Sequence, residues 1–461
     1  MWLQRYTNDI WSDRAHIMRL VQLLCLWSCV VVGGSCNSST TAPAPGATYY
    51  VSTNGNDDGP GTEQQPWRTI QKAEGTLVSG ETVLIESGTY SEQLVPANSG
   101  NGQFITYSSY PGQSVTLDGA AVSLPSTTAG VVEISGKSYI RIVGLRIINA
   151  GPNQTSAGIV VDQSSNIQIL SDTTYNTVSS GIGIWNSQDV IVRGNDVQLC
   201  VNDGIAECIT VANTTRFEVS HNHVHNGGPG SNGGEGIDTK MGASNGTVFA
   251  NVIHDLPRVG IYADAWDRHT YNISIYGNLI YSCEHGLAVA SEQGGLLENV
   301  QAYNNVIFNN RTLGVAIGWP SVYGPTNNIS IINNTIYQNG QGTYGGGIDL
   351  INQSAVNIII RNNIVASNLS FQMALDATTA TSTVFDHNLI NGFRGYSTEV
   401  LGSNAVQSDP LFVNPAVPDL HLQAGSPAID RGSPTGAPSV DFDGNHRPFG
   451  AGYDIGAYER Q

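Results

Sequence analysis

Through the middle of the chain, apolar and polar residues alternate in short runs such as "YIRIV", "NIQIL", "DVIVR" and "NISIY", each bounded by Gly, Asn or Ser. A period of two belongs to a strand with one face buried, and no 3.6-residue apolar stripe competes with it. One phrase also recurs from residue 190 onward: "RGNDV", "SHNHV", "FANVI", "YGNLI", "YNNVI", "INNTI", "RNNIV" and "DHNLI", with Asn195, Asn222, Asn251, Asn278, Asn305, Asn334, Asn363 and Asn388 in the same place. Steps of 25 to 29 residues between short strands predict a solenoid. Leucine-rich and helical repeats are excluded because neither a leucine ladder nor a helical stripe accompanies the period, so the expectation is an all-β, single-stranded parallel β-helix.

In such a fold each coil lies about 4.8 Å above the last, and residues at equal offsets stack. The eight asparagines then form an inward ladder whose amides bond along the stack, which accounts for them without a function. A short amphipathic helix is expected in "PWRTIQKAEGTL", Pro66 to Leu77, as an N-terminal cap, and the Pro- and Gly-rich tail after Gly392 is expected to cover the other end. The organisation read from the chain is a signal segment at 1–36, a linker at 37–47, the β-helix at 48–392 and a capping segment at 393–461. The whole is expected to be a monomer.

Composition narrows the setting. Charged residues are 12% of the chain, Gly reaches 53, and the formal charge is −18, with no Lys/Arg cluster to neutralise phosphates, so nucleic acid is excluded as a partner. "MRLVQLLCLWSCVVVGGSC" has the basic start, apolar run and small residues of a secretory signal, with Met18 as an alternative start. Its "GGSC" end resembles a bacterial lipoprotein signal with Cys36 as a lipid anchor. A bacterial protein, secreted or held on the outer cell surface, is expected. The mature part keeps Cys200, Cys208 and Cys283; this odd number is read as small core residues without a disulfide framework.

A second repeat, a glycine followed by an alternating strand, carries the candidate chemistry: "GIAECITV" from Gly204, "GIDTKMG" from Gly236, "GIYADAWD" from Gly260, "GLAVASEQGG" from Gly286, "GVAIGWP" from Gly314 and "GIDLINQ" from Gly347. Even offsets from the glycine share one face, which gathers Asp238, Lys240, Asp264 and Glu292 beside Tyr262 and Trp266. Glu207 has an odd offset and joins only if its strand is shifted. Lys240, one of three lysines, is expected to stack on Asp264 and balance the carboxylates. A salt-bridge ladder alone would explain that much, but Tyr262, Trp266 and Trp319 add surfaces on which sugar rings stack. His225, His254, His269 and His285 fall near turns without H-x-x-x-H spacing, and a histidine metal centre weighs less. Arg258 and Arg311 precede coil glycines and either reach a substrate carboxylate or cap turns. "DFDGN", Asp441 to Asn445, is read as a turn, lacking the distal glutamate of a calcium loop.

"YYVSTNGNDDGPGTEQQPWRTIQKA" resembles the opening of the family 9 pectate lyases, in the right-handed parallel β-helix group, and "SPAIDRGSP" with "DFDGNHRPFGAGYDIGAYER" is similar to the C-terminal segment of secreted β-helix proteins of the choice-of-anchor type. The resemblance implies a right-handed coil and calcium-assisted β-elimination on a uronic-acid polysaccharide. It assigns Lys240 as base and Asp203, Glu235 and Asp238 as calcium ligands; from the residues themselves Arg258 is expected beside the substrate, with Tyr262, Trp266, Trp319 and His285 as the substrate surface. "GIYADAW" and "AVASEQGG" are also similar to strands of β-helix xylosidases, which keeps open hydrolysis by Asp264 and Glu292. A non-catalytic glycan-binding β-helix is the third reading; the clustered acids between Glu235 and Glu292 favour an enzyme over it.

Overall fold

The computed structural model describes residues 46–461 except 204, 230–232 and 323; the expected signal segment, Cys36 and most of the linker lie outside the described residues. Three parallel sheets run the length of a right-handed β-solenoid, two of 13 strands and one of 10, and each full coil gives one strand to each. Sheet I runs from Thr48–Val51 to Thr381–Asp386, sheet II from Gly88–Tyr90 to Val406–Gln407, and sheet III from Ala129–Ser135 to Phe371–Leu375. Ile70–Thr76 is the expected short helix, N-capped by Thr69, and it buries Ile70 and Ala73. Its burial, together with that of Leu77, joins it to the main core.

Inward positions stack by type. Ile140, Ile167, Val190 and Phe217 are register partners in sheet I, as are Ile273, Val300, Ile329 and Ile358 farther along, and all are almost fully buried. The turn from sheet I to sheet II repeats one local rule. A residue with left-handed φ, such as Gly194 (69°), His221 (55°), Ala250 (53°) or Gly277 (62°), bends the chain, and the ladder asparagine follows it. Asn278 shows how the ladder is satisfied. Its Nδ2 donates to Val248 O (3.0 Å) and Asn305 Oδ1 (2.9 Å), while its Oδ1 accepts from Asn251 N (3.0 Å) and Asn251 Nδ2 (2.9 Å). A second buried ladder, Asn310, Asn339, Asn368 and Gln372, lies at the next turn.

Glycine opens the sheet III strand in most coils for a steric reason. A Cβ at Gly236 would meet Gly260 O at 2.4 Å, and one at Gly286 would meet Gly314 O at 2.6 Å, so only glycine lets adjacent coils approach there. Ile209 pairs with Ile237, which puts Cys208, not Gly204, in this glycine column. Cys208 is bonded to Cys200 eight residues earlier, correcting the reading of the cysteines as unpaired core residues; Cys283 is free and buried. Within one coil Cys200 and Cys208 come to 5.3 Å between Cα atoms, a separation a disulfide spans.

The tail does more than follow the last coil. Phe412, Leu420, Leu422, Ile455 and Tyr458 pack on the outer face of sheet II against Val306, Phe308, Tyr337 and Ile364. Asn333 Nδ2 ties the tail down by donating to Asp454 O and Gly456 O, and the buried Arg447–Glu459 ion pair (3.1 Å) closes it.

Candidate functional site

The acids and the lysine gather on the outer face of sheet III, on strands Ile237–Lys240 and Ile261–Asp264 and in the turns that lead into Ile209–Ala212 and Ile237–Lys240. Lys240 and Asp264 are register partners, as are Asp238 and Tyr262. The lysine nevertheless leans toward the preceding coil: its ammonium forms an ion pair with Glu207 and lies 3.5 Å from Asp238 Oδ2. Glu207 thus belongs to the site, although pleat counting from Gly204 turned it away. It lies in the turn before the strand, where alternation does not operate, and register stacks it with Glu235. The disulfide at Cys208 anchors the turn that carries it.

The cluster is dry. Glu207, Glu235, Asp238 and Asp264 are each at most 5% exposed. Four carboxyls therefore face two cations, Lys240 and Arg258, whose Nε donates to Glu235 Oε1 at 2.9 Å. The shortage of positive charge shows in the protonation equilibria. Burial, then the charge of Glu207, raises Glu235 above its ordinary range. Burial raises Asp238 well above its own, with Lys240 only partly opposing. Asp264 is pushed up to about 7 by burial and by Glu292, against a hydrogen bond from Trp266 N. Burial works against the charge of Lys240 too, but Glu207, Asp238 and Asp264 outweigh it and hold the ammonium above the ordinary lysine range. Asp238 Oδ1 is buried without a hydrogen-bond partner.

Glu292 lies past the end of its strand, Leu287–Ala290, so register alone does not place it. The Tyr262 hydroxyl does, donating to Glu292 Oε1 while accepting from Trp319 Nε1 at 2.6 Å. His285 packs edge-on against Trp319 (5.0 Å between ring centroids), and burial, then Arg311 and Arg258, lowers its pKa to about 4. Trp266 is 37% exposed beside Asp264. Ten of the eleven residues singled out from sequence are thus linked by contact or register along neighbouring coils. Asp203 is the other: it is exposed in the loop ahead of Glu207, and no ion pair or hydrogen bond joins its side chain to the cluster among the described residues. Arg311 caps turns through Leu256 O (3.0 Å) and Pro257 O (2.6 Å), and "DFDGN" is a turn in which Asp441 Oδ1 accepts from Asp443 N and Asn445 N. A depression of about 700 Å³ lined by Asp255, Ser282, Asn309 and Arg311 contains none of the cluster.

Sequence signals left two features unassigned. One is Glu207, which counting admitted only if its strand is shifted and for which the aligned "E-C-I-T" and "E-G-I-D" phrases were the available sign of that shift. The other is a group of histidines on sheet II, His223, His225 and His254, of which His223 was not considered at all.

Comparison with known proteins adds the following. The family model described as "Pel9A-like, right handed beta helix region" matches residues 49–255, which includes Lys240 and ends before Asp264, and that of "Right handed beta helix region" matches 206–323. The chain is 27% identical to the uncharacterized protein YwoF of Bacillus subtilis over 442 residues, covering 83% of this chain and 92% of that one. It is 28% identical over 148 residues to the pectate lyase PEL9 of Emericella nidulans, covering 29% of this chain and 35% of that one. The crystal structure of pectate lyase Pel9A superposes with a TM-score of 0.57 at 16% identity, over 90% of this chain and 96% of the other. An exopolygalacturonase from Thermotoga maritima superposes with a TM-score of 0.54 at 12% identity, over 70% and 87%.

Proposed function

We propose that this chain, a right-handed β-helix of the pectate lyase-like group, is an exported enzyme that cleaves a uronic-acid-containing polysaccharide by β-elimination on the outer face of sheet III. The observation that carries the reading is the buried cluster of Lys240 with Glu207, Asp238 and Asp264, bordered by Tyr262, Trp266 and Trp319. Named relatives in the group act on acidic polysaccharides, and the Cys200–Cys208 disulfide suits a protein that works outside the reducing cytosol.

Elimination needs a base for the proton α to the uronate carboxylate and positive charge to stabilise the enolate that forms. Asp264, with a pKa of about 7, holds and releases a proton near neutrality. Lys240 supplies fixed positive charge; it can act as base only when Glu207 and Asp238 are drawn off it, because they hold its proton. Glu207, Glu235 and Asp238 carry oxygen donors of the kind calcium takes, but their carboxylates do not converge on one point among the described residues, and Lys240 and Arg258 already pair with Glu207 and Glu235. The positive charge that meets the substrate carboxylate is therefore assigned to Lys240 and Arg258. Trp266 and Trp319 give apolar surface for sugar rings, and Arg258 stands where a second carboxylate can be met.

Hydrolysis is the second reading, and the separation of roles between two carboxyls favours it. Asp264 is held near 7, while Glu292 accepts the Tyr262 hydroxyl, the arrangement of a general acid beside a base or nucleophile. The two are separated by offering polygalacturonate and other uronates, with calcium or a chelator, and then neutral β-xylans, to wild type, Lys240→Met and Glu292→Gln. Elimination leaves an ultraviolet-absorbing unsaturated end, lost in Lys240→Met. If uronates yield none, and Glu292→Gln alone abolishes release of neutral reducing sugar, the lyase reading is wrong.

A further inference from the structure

The outer face of sheet II carries a second constellation that the polysaccharide chemistry does not use. His223 and His225 alternate on one strand, His223–His225, and so project from the same face. In the next coil His254 is the register partner of His225, and in the preceding coil Asp196 is the register partner of His223. We propose that His223, His225 and His254, with Asp196, form a binding site for a divalent first-row transition-metal ion such as zinc.

One nitrogen from each histidine lies within 4.8 Å of the others. His223 Nε2 and His254 Nε2 are 2.8 Å apart, and Asp196 Oδ1 is 3.4 Å from His225 Nε2. Tetrahedral coordination with Zn–N bonds of about 2.0–2.1 Å separates ligand atoms by roughly 3.3 Å, so these distances bracket the requirement. The outer nitrogens are backed as metal-bound imidazoles are. His254 Nδ1 is 2.7 Å from Asp255 Oδ2, which accepts its proton and leaves a lone pair on Nε2. His225 Nδ1 is 2.8 Å from Asn226 Nδ2, which orients the ring. His223 Nδ1 is 3.7 Å from Asp196 Oδ2.

His225 is the independent sign. The residue is 8% exposed, and its buried Nε2, which makes no well-aligned hydrogen bond, faces Asp196 Oδ1 at 3.4 Å, a carboxylate that a shared cation would bind together with the ring. The rings of His223 and His225 are stacked at 3.9 Å, 20° apart in plane, and must fan about their Cβ–Cγ bonds to aim both lone pairs at one ion. Side-chain exposures of 24%, 11% and 14% for His223, His225 and His254 leave the site an open side for entry. Imidazole ligands select zinc, copper, nickel or cobalt, whereas calcium takes oxygen, so this centre discriminates against calcium. A bound ion would tie three successive coils together.

The test is to strip the full-length, untagged protein with chelator and titrate it with Co²⁺, whose visible absorption reports tetrahedral coordination. One equivalent should saturate the spectrum and Zn²⁺ should displace it. Ca²⁺ should leave it unchanged, and zinc should raise the thermal unfolding midpoint reversibly with chelator. His223→Ala and His254→Ala should each abolish the spectrum, while Lys240→Met should retain it. Absence of a saturable Co²⁺ spectrum in wild type overturns the proposal, whether or not the variants fold. So does a spectrum that survives both His223→Ala and His254→Ala.

Discussion

Replacing Lys240 by Met keeps most of the side chain's packing and removes its charge from a buried set of acids. The ammonium lies 3.5 Å from Asp238 Oδ2 and in direct contact with Glu207. At an effective dielectric of about 20, a pair at that separation is worth roughly 5 kcal/mol before desolvation. Breaking a buried pair from one side typically costs about 3–5 kcal/mol. For a stack of roughly 400 residues unfolding cooperatively, that is a fall of about 3–6 °C in the unfolding midpoint. The pH dependence distinguishes this account from lost packing. Carboxyls whose folded pKa is raised, here Glu235, Asp238 and Asp264, destabilise the fold above their unfolded pKa, and acidification removes the penalty. Lys240, raised in the folded state, stabilises below its unfolded pKa and loses that contribution only as pH rises through its folded value, far above neutrality. Without Lys240 the carboxyl pKa values rise further, so the deficit relative to wild type should be largest at pH ~8 and shrink toward pH ~5, where protons replace the lysine. The assay is thermal unfolding by circular dichroism at stepped pH, read as midpoints because a repeat stack need not unfold in one step. Equal deficits at both ends of that range would refute the electrostatic reasoning.

Asn278→Ala orphans three buried partners, Val248 O, Asn251 N and one Asn251 Nδ2 hydrogen, and should cost about 3–6 kcal/mol in urea unfolding, whereas Asn272→Gly, at an exposed position with φ 57° whose Nδ2 donates to Asn245 Oδ1, should cost roughly a few tenths. Similar losses for both would mean that buried amide pairing does not hold the coils. Cys208→Ser opens a short loop worth about 2–3 kcal/mol in chain entropy and frees the turn bearing Glu207, so stability and activity should fall together; an unchanged denaturation midpoint would count against it. Tyr262→Phe removes the hydroxyl that bonds Glu292 Oε1 and Trp319 Nε1, so turnover should fall, and an unchanged kcat would show that this contact does not position Glu292 for the reaction.

The period of the chain determined the β-helix, because the coils from Asn195 to Asn388 obey the same local rule: a left-handed residue, a ladder asparagine, then alternation. It also determined that Asp238, Lys240, Asp264 and Tyr262 share a face, since register and pleat are set by that repeat. Only the tertiary structure decided which carboxylates the lysine meets. The segment between Gln198 and Ile209 is longer than its counterpart between Tyr281 and Leu287, so a motif counted from Gly204 slips, and Cys208 takes the glycine's place. Residues in such turns have no parity, which is why counting turned Glu207 away, why Glu292 beyond its strand is held by the Tyr262 hydroxyl rather than by register, and why the Cys200–Cys208 bond was invisible. The histidines had the same fate. "HNHVH" reads as a ladder phrase until stacking brings Asp196 and His254 from the coils on either side, contacts that lie about one coil apart in sequence and exist only once the coils are wound.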